Sequence, residues 1–141
     1  RDVVVTFDWE RMEATYIGFG QAETPVSIRA GTFDPLALFF VIRLRALKEG
    51  GILEIPVTDG KRLIATRAKV TRREKVVING ISYDTYLIIP EMERLDGVLG
   101  KEKEPDMKIW YTADERKIPV KIQTRVAVGS FVFELISASN P

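Results

Sequence analysis

Carboxylates are the main candidates for acid–base chemistry in this sequence. The chain contains neither histidine nor cysteine, which excludes Ser-His-Asp triads, thiolate nucleophiles, and zinc sites built on imidazole or thiolate ligands. Asp8 and Glu10 are predicted to share one face of an extended segment, a spacing compatible with the paired acids of a glycan hydrolase. The same spacing is found on any solvent-facing strand, and we expect both side chains to be solvated.

Three other motifs carry weaker chemical signals. The charged run at 114–117 lies between two predicted strands and is typical of a turn. Gly18-Phe19-Gly20 resembles the beginning of a phosphate-binding loop, but it lacks the third glycine and the helix that follows in such loops. A long charged loop contains four candidate calcium ligands whose spacing fits no EF-hand and favours simple solvation: Asp96, Glu102, Glu104 and Asp106. We therefore predict no catalytic, cofactor-binding or metal-binding residues, and no cofactor.

The composition is that of an ordinary globular domain. The chain has 141 residues, of which 45% are hydrophobic and 29% are charged, and this length suits one core. The net charge of +1 provides no field that would attract a phosphate backbone, so nucleic acid is not an expected partner. Residues 1–141 are predicted to form a single domain. The chain begins at Arg1-Asp2 with a strand-like segment, so we expect either that a leader was removed or, as we favour, that the domain is part of a longer protein.

One helix is predicted over about residues 35–47. Asp34 precedes Pro35, which places an N-cap residue before a proline at the first helical position. All residues from Leu36 to Ile42 are apolar, and Gly50-Gly51 ends the segment. Because its first two turns are apolar on all sides, this helix is predicted to be buried, and it is too short to span a bilayer.

The remainder of the chain predicts short antiparallel strands. Asp59-Gly60 and Asn79-Gly80 favour type I′ turns, each of which would connect a hairpin. The strands predicted around these turns are 52–58, 61–70, 74–78 and 81–89. A charged stretch at 91–106 predicts a surface loop. The fold class is therefore mainly β (α+β): a curved antiparallel meander, or a partly open β-barrel, of about nine strands that wraps the one buried helix.

Aromatic residues on the helix and the late strands could line an apolar site. The five candidates are Phe39, Phe40, Trp110, Phe131 and Phe133. A sheet that curves around a helix would bury such residues as core, which is the common outcome. If the sheet does not close fully on the helix, they would instead line a groove for a lipid or another apolar ligand.

Three stretches together resemble one known family. They are Asp34 with the apolar helix, Gly50-Gly51 and residues 55–61; the Asn79-Gly80 turn with the strand that leads to Pro90; and residues 109–120. The third contains the most specific pattern, Trp-x-x-x-Asp-x-Arg-x-x-Pro-Val, formed here by Trp110, Asp114, Arg116, Pro119 and Val120. On these motifs the chain resembles the bacterial exported-protein family known as domain of unknown function 3108.

The resemblance implies a periplasmic or otherwise extracytoplasmic location, with this chain as the C-terminal part of a longer exported protein. It also implies a relation to the open-barrel fold of the lipoprotein localisation factors, in which a sheet wraps helices over an apolar cavity. It implies no catalytic residues. The roles that the resemblance implies are structural. Asp34 would be the helix cap, and Trp110 and Arg116 would be packing and turn-locking residues. Their motif also includes Asp114 and Pro119.

These features favour a non-enzymatic envelope domain that binds an apolar ligand, a lipid or lipoprotein, in the concavity of its sheet. An alternative is a protein–protein interaction or scaffold module with an envelope protein as partner, which would use the segment from Val3 to Phe7 as an exposed sheet edge. The third alternative is a carboxylate-dependent glycan hydrolase, which requires two acids that converge in a cleft.

Overall fold

The chain is mainly β, as the sequence predicts. The computed structural model describes residues 3–91, 107–126 and 129–139. In chain order the elements are β1 (Val3–Asp8), β2 (Glu13–Gly18), β3 (Gln21–Ala22), β4 (Val26–Ser27), α1 (Leu38–Val41), a 3-10 turn (Ile42–Leu44), β5 (Ile52–Thr58), β6 (Leu63–Ile78), β7 (Ile81–Glu91), β8 (Met107–Thr112), β9 (Pro119–Val126) and β10 (Gly129–Glu134). The loop predicted at 91–106, with Asp96, Glu102, Glu104 and Asp106, falls almost entirely outside the described residues.

The strands form two antiparallel sheets instead of one. The larger sheet has six strands in the order β5 to β10, each paired with the next along the chain, which is the order of a meander. In the smaller sheet β2 pairs with β1, β3 and β4. In the larger sheet β5 and β10 are the two edges, so the described strands form no closed barrel. Ten strands are described instead of about nine. Residues 21–32, predicted as a loop or irregular edge, contribute the short strands β3 and β4, and two predicted strands form the single strand β6.

β6 is one strand of 16 residues, so the prediction of separate strands at 61–70 and 74–78 is wrong. The charged residues between them pair with β7 and do not form a turn. A bulge at Thr71 shifts the register between Val70 and Arg72, and the inserted residue reverses the alternation of side chains. Val70 therefore packs on the helix side of the sheet, whereas Ile78 packs on the opposite side.

The two predicted type I′ turns have different outcomes. Asn79 and Gly80 have φ angles of 50° and 78° and connect β6 directly to β7, which confirms that prediction. At the other site only Gly60 has a positive φ, 84°, and residues 59–62 separate the strands, so the type I′ prediction is wrong. The carboxylate of Asp59 holds this wider loop, since Oδ1 accepts hydrogen bonds from the backbone N–H groups of Lys61 (2.9 Å) and Arg62 (3.2 Å).

The helix is much shorter than predicted. Asp34 Oδ1 accepts hydrogen bonds from the backbone N–H groups of Leu36 (2.8 Å) and Ala37 (3.0 Å), so its capping contact lies in the turn before α1. α1 itself spans only Leu38–Val41, and after the 3-10 turn Arg45 is extended, with φ −100° and ψ 151°. The prediction of a helix to about residue 47 is wrong because an apolar run sustains a helix only as far as it packs.

Burial of this helical segment is one-sided. The buried residues are Leu38, Val41 and Ile42, and the exposed ones include Leu36, Phe40 and Leu44. The prediction that the segment is buried on most sides is therefore wrong. A single sheet covers one side of a helix and leaves the other side without packing partners.

The six-stranded sheet carries an apolar cluster on each face. The helix-side cluster consists of Leu38, Val41, Ile42, Ile55, Val57, Ala68, Val70, Ile88, Ile109 and Tyr111. The opposite cluster consists of Ile78, Leu87, Trp110 and Val120. Successive residues of β8 alternate between the two, as the pleat of a strand requires.

The two sheets meet at Gly60 and Phe33. A Cβ atom at Gly60 would lie 2.9 Å from the backbone nitrogen of Tyr16 and 3.0 Å from the side chain of Val5, so only glycine fits this approach. The backbone of Phe33 exchanges hydrogen bonds with β5, donating to the carbonyl of Pro56 (3.0 Å) and accepting from the N–H of Thr58 (2.9 Å).

Candidate functional site

The helix side of the six-stranded sheet continues past the helix onto its last strands. Cross-strand pairs connect Ile109 with Ile122 and Ile122 with Phe133. Directly opposed residues of neighbouring strands project from the same face, and Phe131 shares that face because it lies two residues from Phe133. We call Met107, Ile122, Phe131 and Phe133 the open apolar face.

Packing against the helix-side cluster ends within the open apolar face. Met107 and Ile122 still pack against that cluster, whereas Phe131 and Phe133 on the next strand are 56% and 59% exposed. Their rings stack on each other, with centroids 6.5 Å apart and planes inclined by 29°. An exposed aromatic pair that is continuous with a core is a surface on which an apolar molecule can dock.

The structure does not bring the other three predicted lining residues to this face. Phe39 packs against the helix-side cluster as a half-buried residue. Phe40 is exposed on the outer side of α1. Trp110 belongs to the cluster on the opposite face of the sheet, because it is one residue away from both Ile109 and Tyr111 on β8. Of the five candidate lining residues, Phe40 and Trp110 therefore do not share a surface with Phe131 and Phe133.

Trp110 is held by a polar contact as well as by packing. Its indole Nε1 donates a hydrogen bond to Oε1 of Glu74 at 2.7 Å, and the ammonium of Lys121 lies 5.5 Å from the ring centroid. Hydrogen bonds from the guanidinium of Arg72 and from Trp110 lower the pKa of Glu74, although partial burial acts in the opposite direction. Trp110, predicted as a packing residue, thus lies on β8 and contacts side chains of β6 and β9.

Asp114 is the centre of the turn between β8 and β9. Its Oδ1 accepts hydrogen bonds from the hydroxyl of Thr112 and from the backbone N–H of Lys117 (3.2 Å), and its Oδ2 accepts one from Nε of Arg116 (2.9 Å). The contact with Thr112, followed by that with Arg116, lowers the pKa of Asp114. Pro119 begins β9 beside a bulge and pairs with Tyr111, a position where proline is tolerated.

This turn also contacts the 3-10 turn after α1. Nε of Arg43 donates a hydrogen bond to the carbonyl of Arg116 at 3.2 Å, and Nζ of Lys117 donates one to the carbonyl of Arg43 at 3.3 Å. The motif residues Asp114 and Arg116 therefore lie where the sheet and the helical segment meet, which is a structural position.

A shallow polar pocket of about 220 Å³ lies beside the same turn. Its charged groups bind one another: Arg73 pairs with Asp84, and Arg116 pairs with Asp114. Each arginine lowers the pKa of its partner carboxylate. Because both carboxylates are already neutralised by arginine, the pocket offers no unpaired charge of these groups to a ligand.

The family described as protein of unknown function, DUF3108, matches residues 1–136. The chain belongs to this family. The match confirms the resemblance that the motifs around Asp34, Asn79-Gly80 and Trp110 indicate. No curated protein and no solved structure matches the chain.

The predicted acid pair of this DUF3108 chain lies in an exposed turn. Oδ1 of Asp8 accepts hydrogen bonds from the backbone N–H groups of Glu10 (3.1 Å) and Arg11 (3.0 Å), which is the contact of a residue that ends a strand. The motif Gly18-Phe19-Gly20 also lies at a turn. Its residues Phe19 and Gly20, with φ angles of 54° and 75°, connect β2 to β3.

Within residues 3–91, 107–126 and 129–139, no group of three or more histidine, cysteine or acidic residues could hold a metal ion. None of the helical segments described for this chain has the length and apolar character needed to cross a bilayer.

Met107 and Ile122 are members of the open apolar face that the sequence did not single out. Apolar residues at 118, 120, 122 and 126 alternate with polar ones, which predicts a half-buried strand with these four on one face. Ile122 is half-buried as predicted, but Val120 lies in the cluster on the opposite face. The alternation does not give the strand register. Only the pairing of Ile122 with Phe133 shows that these two residues share a surface.

Proposed function

We propose that this DUF3108 chain is a non-enzymatic domain of the cell envelope that binds an apolar ligand, such as an acyl chain, on the open apolar face. The observation that carries this proposal is the exposure of Phe131 and Phe133, 56% and 59%, beside the part of the same face that packs against the helix. Two stacked rings beside a packed core supply apolar area that a ligand would remove from water.

The chemistry of the two faces supports an apolar ligand. On β8 to β10 the positions of the helix-side face include 107, 109, 111, 119, 122, 124, 131 and 133, and none of them is charged. The opposite face of the same strands carries Lys108, Lys121 and Glu134. A ligand on the open apolar face therefore meets hydrophobic side chains and the hydroxyl of Thr124, which suits a hydrocarbon chain and gives an ionic headgroup no partner.

Displacement of a fluorescent fatty acid tests this proposal. We expect saturable binding in the micromolar range, and we expect Phe131→Gln and Phe133→Gln each to raise Kd by about tenfold or more, since each removes an exposed ring from the contact. Both side chains are more than half exposed, so the variants should keep the far-UV spectrum and the melting temperature of the parent chain.

Val132→Gln is the matched control. Val132 lies between the two phenylalanines, is 50% exposed, and pairs with Gln123, so it projects from the opposite face. Its substitution should leave Kd unchanged. Absence of binding at high micromolar ligand would contradict the proposal, and so would an equal loss of affinity in Val132→Gln.

The envelope location in the proposal is supported by the family resemblance. Fractionation of a bacterium that makes the parent protein should recover it outside the cytoplasm. Recovery in the cytoplasmic fraction alone would contradict the location without affecting the binding test.

A second candidate function is a protein-interaction module that uses β1. Among the described strands β1 pairs with β2 alone, and Val3 and Val4 on it are 45% and 53% exposed. A free, apolar strand edge can pair with a strand of another chain. Sedimentation velocity over a range of concentrations should then detect association that Val4→Lys abolishes, whereas a monomer at every concentration would argue against self-pairing.

A further inference from the structure

We propose that the outer side of the helical segment docks on an anionic lipid surface. The proposed surface, here called the lipid-facing ridge, consists of Leu36, Phe40 and Leu44 together with the exposed basic residues Arg45 and Lys48. It is separate from the open apolar face, and its occupancy does not depend on the ligand proposed for that face.

The apolar part of the lipid-facing ridge extends along the helical segment. Leu36, Phe40 and Leu44 are 73%, 65% and 83% exposed, and they lie in the turn before α1, on α1 and at the end of the 3-10 turn. The residues that face the sheet from the other side, Leu38, Val41 and Ile42, are almost fully buried. Single exposed apolar residues are common, but three large ones in a row mark an interaction surface.

The charges beside this row favour an anionic partner. Arg45 and Lys48 are exposed and form no ion pair with a carboxylate in the part of the chain that the structure describes. Arg43 on the same segment is not part of the ridge, because its side chain donates a hydrogen bond to the carbonyl of Arg116 in the turn between β8 and β9. Since the whole chain has a net charge of only +1, the positive charge here is a local feature.

Three acidic side chains on or beside the helical segment form their contacts with groups other than Arg45 and Lys48. Asp34 accepts hydrogen bonds from the backbone N–H groups of Leu36 and Ala37. Asp114 is paired with Arg116, and Glu49 accepts a hydrogen bond from the backbone N–H of Arg73. The basic residues of the lipid-facing ridge therefore remain available for an external anion.

A lipid surface fits both halves of this arrangement. Leucine and phenylalanine side chains enter the boundary between headgroups and acyl chains, while arginine and lysine reach the phosphates with their long side chains. A second copy of this chain fits less well, because symmetric contact between two ridges would place the same two cations, Arg45 and Lys48, against those of the other copy.

Flotation of the full chain with phospholipid vesicles tests the proposal. We expect binding to vesicles of equal parts phosphatidylcholine and phosphatidylglycerol, weak binding to phosphatidylcholine alone, and release as the salt concentration rises. The variant Arg45→Gln with Lys48→Gln should bind about fivefold more weakly for each charge removed. The double variant Phe40→Gln and Leu44→Gln should bind at least about tenfold more weakly than the parent chain.

Val77→Gln is the matched control, because Val77 on β6 is an apolar side chain of similar exposure, 68%. It should bind vesicles as the parent chain does, and all variants should keep the parent melting temperature. The proposal is overturned if the chain does not float with anionic vesicles, or if the ridge variants float as well as the control. It is also overturned if the ridge variants instead abolish a dimer, or the binding of an acidic apolar peptide, in the absence of lipid.

Discussion

The indole nitrogen of Trp110 and the carboxylate of Glu74 form a 2.7 Å hydrogen bond that crosses the intervening strand β7. Trp110 lies on β8 and Glu74 on β6, two strands that do not pair with each other. The contact therefore ties three strands together above the cluster of Ile78, Leu87 and Val120. It also gives the tryptophan of the family motif a role away from the helix side of the sheet.

Trp110→Phe should lower the free energy of unfolding by about 1–2 kcal/mol, because it removes the donor to a charged acceptor and leaves a small cavity. Urea denaturation followed by circular dichroism measures this change. Trp9→Phe is the control, since Trp9 is half exposed and stacks on Phe7 with centroids 5.4 Å apart, an arrangement that phenylalanine retains. An equal loss in both variants would show that the contact with Glu74 contributes nothing specific.

Glu74 should make the stability of the chain depend on pH in the acid range. Its pKa is lowered from the ordinary value of 4.5, so its contribution is fully present above that value and is lost as the pH falls through the lower pKa of the folded state. Glu74→Gln removes this contribution. Its melting temperature should therefore fall less steeply than that of the parent chain between about pH 5 and about pH 3. Glu115→Gln, at an exposed position, should keep the slope of the parent.

Gly60 and Gly80 should respond differently to the same substitution. Both have positive φ angles, 84° and 78°, so alanine is strained at either site by about 1 kcal/mol. At Gly80 an added Cβ has open space, whereas at Gly60 it would lie 2.9 Å from the backbone nitrogen of Tyr16. Gly60→Ala should therefore cost about 3 kcal/mol or more in unfolding free energy. Similar costs at the two sites would mean that the sheets separate easily at this junction.

Asp114→Ala should destabilise the turn between β8 and β9. It removes the acceptor for the Thr112 hydroxyl, the Lys117 N–H and the Arg116 guanidinium, and we expect a loss of about 1 kcal/mol, as for the loss of a helix cap. Hydrogen exchange of the Lys117 amide should accelerate in the variant. Glu115→Ala, at the next and exposed position, should change neither quantity, and an equal effect there would contradict the turn-locking role of Asp114.

Local chemistry explains most of the successful sequence predictions. The turn at Asn79-Gly80 could be predicted because both residues accept positive φ angles. The capping hydrogen bonds of Asp34 could be predicted because its short carboxylate reaches the backbone N–H groups two and three residues further on. The predicted helix length and the predicted type I′ turn at Asp59-Gly60 were wrong because local chemistry does not decide them. Both depend on neighbours distant in sequence: the sheet that covers only Leu38, Val41 and Ile42, and the strands β1 and β2 against which Gly60 packs.

The sequence by itself determined the antiparallel β class, the Asn79-Gly80 hairpin and the family, since these follow from alternation, turn residues and motifs within short segments. The tertiary structure alone decided which aromatic residues share a surface. Bulges at Thr71 on β6 and at Val120 on β9 shift the strand register. Such a shift moves every later side chain to the other face of the sheet. No local pattern records a bulge, and so only the paired strands show that Phe131 and Phe133 lie on the helix side while Trp110 lies opposite.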